Sequence, residues 1–384
     1  MNETFSDLGL KPEIVSALAK LSITSPTAIQ ISAIPALLKR NNTYLQAETG
    51  TGKTLAYLLP LYCRIDPTVG NAQVIVVVPT HELAIQIQRQ CLELSLLSQL
   101  PIRILLLIGG TSRERQLEKL KKKPHIIIGS PGRIRELIED RKLKSHIVHS
   151  IVIDEADRLI TSENLSSLQT IINSTPKDRS LILVSATESS ECTKAIATIC
   201  PDMKRIKTGK ASVNSSIEHF YLICQEREKT EMIRKLIHAM TPTRSMIFVH
   251  KNDSAEILAL KLAHHKMKVI DIHSAQEKED RKKAMDQIRS GKVDVLIASD
   301  LAARGLDIKE VTHVFNFDVP SLSDAYLHRV GRTGRAGAAG VAVTLISGHQ
   351  ERLIPQYSKD LGIIMTEITL REGNVFAVEK KSIK

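Results

Sequence analysis

The chain has 384 residues, a formal net charge of +11 and a pI of about 9.3. This length favours two domains of about 150 to 200 residues, and the positive charge favours a polyanionic partner such as nucleic acid. Aromatic residues make up only 3% of the chain and Trp is absent, which excludes an extended base-stacking platform as the main means of binding nucleic acid.

Short β-branched runs alternate with amphipathic stretches of helical period, a pattern typical of parallel sheets wrapped by helices. After a helix at 6–21, the first half has strand candidates at 43–47, 74–79, 102–108, 125–130, 150–157 and 181–187. The second half repeats the plan at 219–224, 245–250, 268–274, 293–300, 312–318 and 340–347, and ends in a helix at 349–363. Between the halves, 207–218 loses the periodicity and gathers Gly, Ser and Asn, which predicts a linker.

No stretch of the sequence predicts a membrane span or an export signal. The longest apolar runs, at 74–78 and 104–108, are well below the length that crosses a bilayer. The first ten residues lack the basic flank and apolar stretch of a secretion signal. The five Cys show no paired spacing, which argues against a zinc site or a disulfide framework. We therefore expect an intracellular protein without a membrane partner.

The segment "AETGTGKT" at 47–54 lies between the first predicted strand and a helix. A loop of this kind holds phosphates with its backbone N–H groups, and glycine lets the backbone approach them. Lys53 would then meet the β and γ charges, and the Thr54 hydroxyl would ligate Mg²⁺. A glycine-rich turn that caps a helix is the alternative, which the order of strand, loop and helix disfavours.

A nucleoside triphosphatase also needs a carboxylate for the metal and a group that orients the attacking water. The stretch "IVIDEADRL" offers Asp154 for the metal and Glu155 for the water. Taken alone, "DEAD" could equally be an exposed acidic turn. Its place after a phosphate loop favours the catalytic interpretation.

Three arginines lie three residues apart in "YLHRVGRTGRAG" at 326–337: Arg329, Arg332 and Arg335. An arginine that enters late stabilises the charge of a phosphoryl-transfer transition state. The alternative is a basic helix face that binds a phosphate backbone. Because Lys53 lies in the other half, a site that uses both groups would require the halves to close on each other.

In chain order, the phosphate loop, "DEAD", "SAT" at 185–187 and "HRVGRTGR" at 328–335 resemble the motifs of the DEAD-box ATP-dependent RNA helicases of superfamily 2. The resemblance extends from about Phe5 to Leu345. It implies two RecA-like domains, each a parallel sheet flanked by helices, with the ATP-binding domain at 1–206, a linker at 207–218 and a C-terminal domain at 219–384. The implied cofactors are ATP and Mg²⁺, and the implied partner is RNA.

The resemblance also implies a nucleotide site built from several segments. Phe5 and "SPTAIQ" at 25–30 resemble the adenine-reading segment, in which Thr27 and Gln30 address the adenine and Phe5 packs on it. Arg332 and Arg335 resemble the arginine fingers. The remaining implied nucleotide contacts are Ala47, Glu48, Thr49, Gly50, Thr51, Gly52, Lys53 and Thr54 in the loop, and Asp307 near the ribose.

Two further sets follow from the same resemblance. The residues implied to hold the RNA backbone are Pro79, Thr80, Gly110, Ser130, Arg133, Arg281 and Ser299. Those implied to couple hydrolysis to strand separation are Asp157, Ser185, Thr187 and His328. The sequence departs from the family pattern at His81, where the family has Arg in "PTRELA", so a fixed charge becomes one that is mostly neutral at pH 7. Lys278 stands where the family often has Gln.

The function that these residues predict is an RNA-dependent ATPase that unwinds short duplexes or remodels RNA–protein complexes. An ATP-gated RNA clamp or assembly scaffold has the same motifs and stays open, whereas a DNA-directed helicase is disfavoured by "DEAD" and the adenine segment. The short flanks and "HSAQ" at 273–276 loosely resemble members that serve ribosome assembly. We therefore expect a monomer with protein partners, a role in ribosome biogenesis and rRNA processing, and a nucleolar or otherwise cytoplasmic location.

Overall fold

The structure is a computed structural model that describes residues 3–47, 51–186, 190–208, 216–273, 276, 278–303, 308, 310–334 and 338–378. The chain forms two compact units, Met1–Lys210 and Ala211–Lys384. Lys207 ends a strand of the first unit and Ile217 begins a strand of the second, so both ends of the predicted linker lie within strands. The predicted domain boundaries otherwise stay a prediction, since 209–215 lie outside the described residues.

The first unit is a seven-stranded parallel sheet with the order β3-β4-β2-β5-β6-β1-β7. Its strands are β1 Thr43–Gln46, β2 Val74–Val77, β3 Ile104–Leu107, β4 Ile126–Gly129, β5 Ser150–Asp154, β6 Ser180–Ser185 and β7 Lys204–Lys207. Its helices are α1 Pro12–Lys20, α2 Ala28–Leu38, α3 Lys53–Arg64, α4 His81–Ser98, α5 Arg113–Leu120, α6 Pro131–Glu139, α7 Ala156–Leu159, α8 Ser162–Asn173 and α9 Ser190–Ile199.

Helices cover both faces of this sheet because its strands are apolar on both sides. In β2, Val74 and Val76 belong to one core, whereas Ile75 and Val77 belong to the core on the opposite face. Successive side chains of a strand point to opposite faces, so a continuous apolar run requires cover on each. The apolar runs that predicted a wrapped parallel sheet therefore predicted the layers correctly.

The second unit is an eight-stranded sheet with the order β10-β11-β9-β12-β13-β8-β14-β15. Its strands are β8 Ile217–Ile223, β9 Ser245–Val249, β10 Val269–Ile272, β11 Val295–Ser299, β12 His313–Asn316, β13 Gly340–Ile346, β14 Met365–Arg371 and β15 Asn374–Ala377. Its helices are α10 Lys229–Met240, α11 Asn252–His264, α12 Lys278–Arg289, α13 Asp300–Ala303, α14 Ser323–Val330 and α15 Leu353–Leu361, with single 3₁₀ turns at Glu226–Glu228 and Gly348–Gln350. Within the described part of this unit, only β14 and β15 pair antiparallel.

Three strands were missed by the sequence prediction: β7, β14 and β15. Three of the four residues of β7 are exposed, and β15 is exposed along most of its length. Edge strands of this kind lack the buried apolar run by which the other strands were recognised. Among the described residues, no helix is long and apolar enough to cross a membrane.

Gly129 closes β4 against β3, and a Cβ at this position would overlap the carbonyl oxygen of Leu107. The clash is with backbone, so the two strands would have to separate locally. We expect Gly129→Ala to lower the free energy of unfolding of the first unit by roughly 1 to 3 kcal/mol, measured by chemical denaturation.

Gly132→Ala is the matched control, because Gly132 lies in the first turn of α6 with no atom within 4 Å of the added Cβ. Alanine in a helix is favoured over glycine, so the free energy of unfolding should stay constant or rise slightly. Equal destabilisation by both substitutions would show that the contact with Leu107 is not the cause.

Candidate functional site

The phosphate loop ends at Gly52, directly before α3. Its φ of +90° lies in the left-handed region that favours glycine, and a Cβ there would lie 2.5 Å from Gln30 Nε2. Gln30 Nε2 donates to the Gly52 carbonyl at 3.1 Å, which ties the predicted adenine segment to the loop. The N–H groups at the N-terminus of α3 form a binding site for an anion. Glu48, Thr49 and Gly50 lie outside the described residues.

Lys53 and Tyr57 lie one turn apart on α3 and therefore on the same helix face. Lys53 Nζ donates to the Ala47 carbonyl at 2.5 Å, at the end of β1. Tyr57 Oη donates to Asp154 Oδ2 at 2.8 Å, at the end of β5. One face of α3 thus joins the phosphate-binding lysine to the predicted metal carboxylate.

Asp154 is buried, and burial raises the pKa of its carboxyl to about 6, while the Tyr57 hydrogen bond and the positive charge of Lys53 act in the opposite direction. Burial and the neighbouring carboxylate raise the pKa of the Tyr57 hydroxyl well above its ordinary value, so this group is a proton donor at pH 7. The Thr54 side chain acts in the opposite direction on the pKa of this phenol. Both predicted metal ligands, Thr54 and Asp154, therefore influence the Tyr57 hydroxyl.

The Thr54 hydroxyl and the Asp154 carboxylate fit Mg²⁺, which prefers hydroxyl, carboxylate, phosphate and water oxygens as ligands. Among the described residues, no group of three or more His, Cys, Asp and Glu could hold a metal ion. Mg²⁺ at a nucleotide site keeps several waters and takes further ligands from phosphates, so one carboxylate and one hydroxyl are enough protein ligands. Thr54 and Asp154 are the residues that would hold it.

Glu155 has a φ of +51°, an uncommon value for a residue with a side chain, directly beside Asp154. Its N–H donates to Asp154 Oδ1 at 2.9 Å, and its carboxylate accepts from Arg158 Nη1 at 2.8 Å. Strained backbone of this kind persists where the surrounding structure fixes it, and it concentrates at functional sites. The predicted water-orienting carboxylate is thus held at both its main chain and its side chain.

The structure places other predicted nucleotide and coupling residues in the first unit without testing their roles. Ser185 ends β6 in register with Gln46 of β1, so it lies at the same sheet edge as the phosphate loop. Asp157 belongs to α7. Phe5 is 2% exposed within a hydrophobic core, whereas Thr27 is exposed at the start of α2. Thr187 lies outside the described residues.

The predicted RNA contacts of the first unit lie at the carboxyl ends of β2, β3 and β4, which are neighbours in the sheet. Thr80 caps α4 and accepts from the Leu83 N–H at 3.2 Å, and Pro79 precedes it. Gly110, with a φ of +66°, lies in the loop before α5, and Ser130 precedes α6. Three helix N-termini thus share one edge, and each favours a phosphate oxygen.

Arg133 is fixed by a carboxylate that also binds a second arginine. Arg133 Nη1 lies 2.8 Å from Glu136 Oε2, and Arg113 Nε from α5 lies 2.8 Å from Glu136 Oε1. The side chain of Arg133 is only 15% exposed, so its position is defined by α6 itself. Glu136 and Arg113 were not singled out from the sequence.

In the second unit, Ser299 ends β11, and its hydroxyl donates to Asn252 Oδ1 at 3.2 Å. Arg281 Nη2 donates to the Ala302 carbonyl at 2.7 Å, which joins α12 to α13. His328 lies in α14, and Arg332 follows that helix with 8% exposure. Arg335 and Asp307 lie outside the described residues.

Arg329, one of the three arginines that predicted charge stabilisation, has a different role. Its side chain is 1% exposed and pairs with Asp300 through Nε at 2.6 Å and Nη2 at 2.7 Å. Its Nη1 donates to Asn316 Oδ1 at 3.2 Å, and the guanidinium lies 5.3 Å from the ring centroid of Phe248. Arg329 therefore links the carboxyl ends of β9, β11 and β12 and supports the segment that carries Arg332.

The parallel sheet, the phosphate loop and the carboxylate at the end of β5 define a nucleoside triphosphatase of the P-loop class. The DEAD/DEAH box helicase family model matches residues 27–195, and that of the helicase conserved C-terminal domain matches 228–337. Together these matches cover both units.

Comparisons with whole proteins agree with these two helicase family models. The chain is 38% identical to the DEAD-box ATP-dependent RNA helicase CshC of Bacillus cereus, across 98% of this chain and 96% of that one. It is 36% identical to the probable ATP-dependent RNA helicase YfmL of Bacillus subtilis, across 91% and 92%. The solved structure of S. cerevisiae Dbp5 bound to RNA and ADP BeF3 superposes with a TM-score of 0.85 at 29% identity, covering 95% of each chain.

The chain therefore belongs to the DEAD-box family of ATP-dependent RNA helicases, and its class is that of an RNA-dependent ATPase. The two-unit RecA-like architecture that the sequence predicted is confirmed. The predicted nuclear or nucleolar location gains no support, because the helicases CshC and YfmL are bacterial and bacteria have no nucleus.

Tyr57 is a residue that sequence reasoning missed, because an aromatic four residues after the lysine of the loop reads as part of the apolar helix face. We expect Tyr57→Phe to raise the Mg²⁺ concentration for half-maximal ATPase activity several-fold, since Asp154 loses a buried hydrogen bond worth roughly 1.5 to 3 kcal/mol. Binding of a fluorescent ATP analogue, titrated with and without Mg²⁺, is the second measurement. The loss of affinity should appear only when Mg²⁺ is present.

Tyr62→Phe is the matched control on the same helix. The Tyr62 hydroxyl is also buried, but it donates to the Cys91 carbonyl at 2.5 Å, away from Asp154. This variant should lose stability without any change in Mg²⁺ dependence. If both variants shift the Mg²⁺ titration equally, Tyr57 acts only through stability and does not position Asp154.

Proposed function

We propose that this protein couples ATP hydrolysis to the binding and release of an RNA strand, and thereby separates short duplexes or remodels RNA–protein complexes. The observation that carries the proposal is the arrangement at one edge of the first sheet. The phosphate loop follows β1, Asp154 ends β5 and Ser185 ends β6. The neighbouring strands β2, β3 and β4 are followed by Thr80, Gly110 and Ser130.

In this proposal each residue of the nucleotide site has one task. ATP with Mg²⁺ supplies the phosphoryl bond that breaks. Lys53 and the N–H groups of the loop neutralise phosphate charge, and Thr54 and Asp154 hold the metal ion. Glu155, fixed by Arg158, orients the attacking water and accepts its proton.

Arg332 and Arg335 are proposed to stabilise the charge that develops on the transferred group. Both residues belong to the second unit, and His328 is proposed to couple hydrolysis to strand separation. Arg329 has no direct part in this step, since its guanidinium is bound to Asp300 and Asn316. Asp307 near the ribose and the adenine contacts of Phe5, Thr27 and Gln30 complete the proposed site.

The RNA is proposed to be held by its backbone and without sequence preference. The carboxyl ends of the strands of the first unit form one edge of its sheet, which we call the carboxyl edge. Three helix N-termini at this edge supply N–H groups and positive dipole ends, and Arg133 adds one fixed charge. The second unit would add Arg281 and Ser299. Dbp5, the structural neighbour at 29% identity, is bound to RNA and ADP BeF3, which supports this assignment.

The pathway is a separate and finer proposal. We infer that protein partners select the RNA, because the motifs of this chain address backbone rather than bases. Ribosome biogenesis and rRNA processing, in a cell without a nucleus, stay a proposal that rests on the loose resemblance at 273–276. The monomeric state is likewise a prediction, and sequencing the RNA recovered with the protein would test the pathway.

Lys53→Ala is expected to reduce RNA-stimulated ATPase activity at least 100-fold, because the triphosphate loses its fixed positive charge. Glu155→Gln should reduce turnover similarly yet retain ATP-dependent RNA binding, since only water activation is lost. The measurements are steady-state ATPase and RNA affinity with ATP present. Exposed Glu163 of α8, changed to Gln, is the control and should behave as the parent chain. Turnover that survives both substitutions would contradict the proposed site.

Strand displacement on a short duplex then separates unwinding from clamping. The proposal predicts displacement that requires ATP and is abolished by Lys53→Ala. ATP-dependent retention of RNA without displacement would instead identify an ATP-gated clamp. Equal stimulation of the ATPase by DNA of the same sequence would contradict an RNA substrate.

A further inference from the structure

The positive charge of the first unit is concentrated at the sheet edge opposite the site described above. The seven loops that lead into β1 to β7 contain eleven Lys and Arg but only four acidic residues. The basic residues are Lys39, Arg40, Arg103, Lys121, Lys122, Lys123, Arg141, Lys142, Lys144, Lys177 and Arg179, and the acidic ones are Asp66, Asp140, Asp178 and Asp202. We call this surface the amino edge. The six loops that lead from β1 to β6 into helices contain no Lys or Arg at all.

The basic side chains of the amino edge are available to a ligand. All eleven except Arg179 are exposed. Among the residues that the structure describes, Lys121 is the only one of the eleven in an ion pair, with Glu118 at 2.6 Å. Two of the four acids are already engaged, because Asp140 accepts from Arg113 and Asp66 accepts from Thr68. The edge therefore carries a strong uncompensated positive charge.

From β3 to β1 along the sheet, every one of these loops except the loop into β2 contributes Lys or Arg, so the charges form a row with one gap. Arg103, before β3, donates to the Lys123 carbonyl, before β4, at 2.9 and 3.0 Å. The Lys123 side chain reaches the next loop, since its Cδ lies 3.0 Å from where a Cβ on Gly70 would be. Further along, the Arg64 guanidinium lies 3.4 Å from His149 Nδ1, before β5, and the charge of Arg40 reaches both groups. The row thus spans six strands, about 24 Å at the usual strand spacing.

The positive charge of the edge affects the pKa of two histidines in these loops. Burial, together with the charges of Arg64 and Arg40, lowers the pKa of His149 to about 4. Burial and the charge of Arg103 lower the pKa of His125 as well. Both imidazoles are therefore neutral at pH 7 and add nothing to the positive charge of the edge.

We propose that the amino edge of the first unit is a second binding surface for the phosphodiester backbone of RNA, outside the segment held at the carboxyl edge. A nucleic-acid strand carries one phosphate per roughly 3.4 Å of helix axis, so a row of about 24 Å faces about seven phosphates. The inference rests on the proposed function in one respect: it takes RNA to be the polyanion that the carboxyl edge holds.

The composition of the surface favours RNA over an acidic protein. Protein interfaces are enriched in aromatic residues and depleted in Lys, whereas nucleic-acid interfaces are polar and strongly positive. The seven loops contain seven Lys and no Phe, Tyr or Trp. Val69 is the one large apolar side chain exposed among them. The surface thus offers charge for a backbone and little apolar area for a protein.

The test removes three charges from the middle of the row by Lys122→Gln, Lys123→Gln and Lys142→Gln together. Its matched control removes three exposed charges from the second unit by Lys261→Gln, Lys266→Gln and Lys268→Gln, so the net charge changes equally. Two RNA strands serve as probes. One, of about ten nucleotides, fills only the carboxyl edge, and the other, of about sixty, extends well beyond it.

We expect the amino-edge variant to bind the long RNA roughly tenfold more weakly than the control and to lower its salt slope by about 2, at about 0.7 per phosphate released. Affinity for the short RNA and the ATPase rate that it stimulates should match the control. If the amino-edge variant and the control bind the long RNA with equal affinity and equal salt slope, the inference is wrong. This result is also expected if the amino edge binds an acidic protein rather than RNA. If the short RNA does not stimulate the ATPase activity of the unmodified chain, the proposed function is contradicted instead.

Discussion

The parallel direction of the first sheet is the constraint on which the candidate site depends. Because every strand pair is parallel, the loops after all strands gather at one edge, and the strand order decides which of them are neighbours. The nucleotide residues follow β1, β5 and β6, whereas the predicted RNA residues follow β2, β3 and β4. The two groups meet where β5 pairs with β2, with Ile153 opposite Val77. The predicted metal carboxylate is thus one strand away from the first predicted RNA loop, which would give a short path between hydrolysis and RNA binding.

Within that edge, the hydroxyl of Tyr57 joins groups that come from distant parts of the chain. It bonds Asp154 at the end of β5, and it belongs to α3, whose first turn carries Lys53 and Thr54. The second unit uses a comparable device, since Arg329 holds Asp300 and Asn316 at the ends of β11 and β12, which flank β9 in the sheet. In each unit, a buried polar side chain from a helix fixes the segment that carries the chemistry, and a buried group of this kind must be fully hydrogen-bonded to be tolerated.

The sequence predicted the layers and twelve of the fifteen strands that the structure describes, because buried parallel strands leave strong local patterns. Edge strands such as β15 leave none. The supporting residues were also missed. Tyr57 resembles an ordinary helix residue, and only the fold brings Asp154 within its reach. Arg158 also resembles an ordinary helix residue, although its partner Glu155 lies only three residues away. Arg329 was grouped with Arg332 on spacing alone, although a three-residue spacing does not distinguish a buried guanidinium from one that contacts a ligand.

The net charge of the chain correctly indicated a polyanionic partner, but the charge does not lie where the motifs do. The carboxyl-edge loops of the first unit have no Lys or Arg, so the proposed binding there would depend on helix N-termini, backbone N–H groups and the few arginines of the motifs. Contacts of this kind need correct geometry and are lost when the geometry changes. Lysines on flexible stems at the amino edge need no such geometry. A strand released at the carboxyl edge after hydrolysis could therefore stay attached at the amino edge, and the same molecule could act on it again.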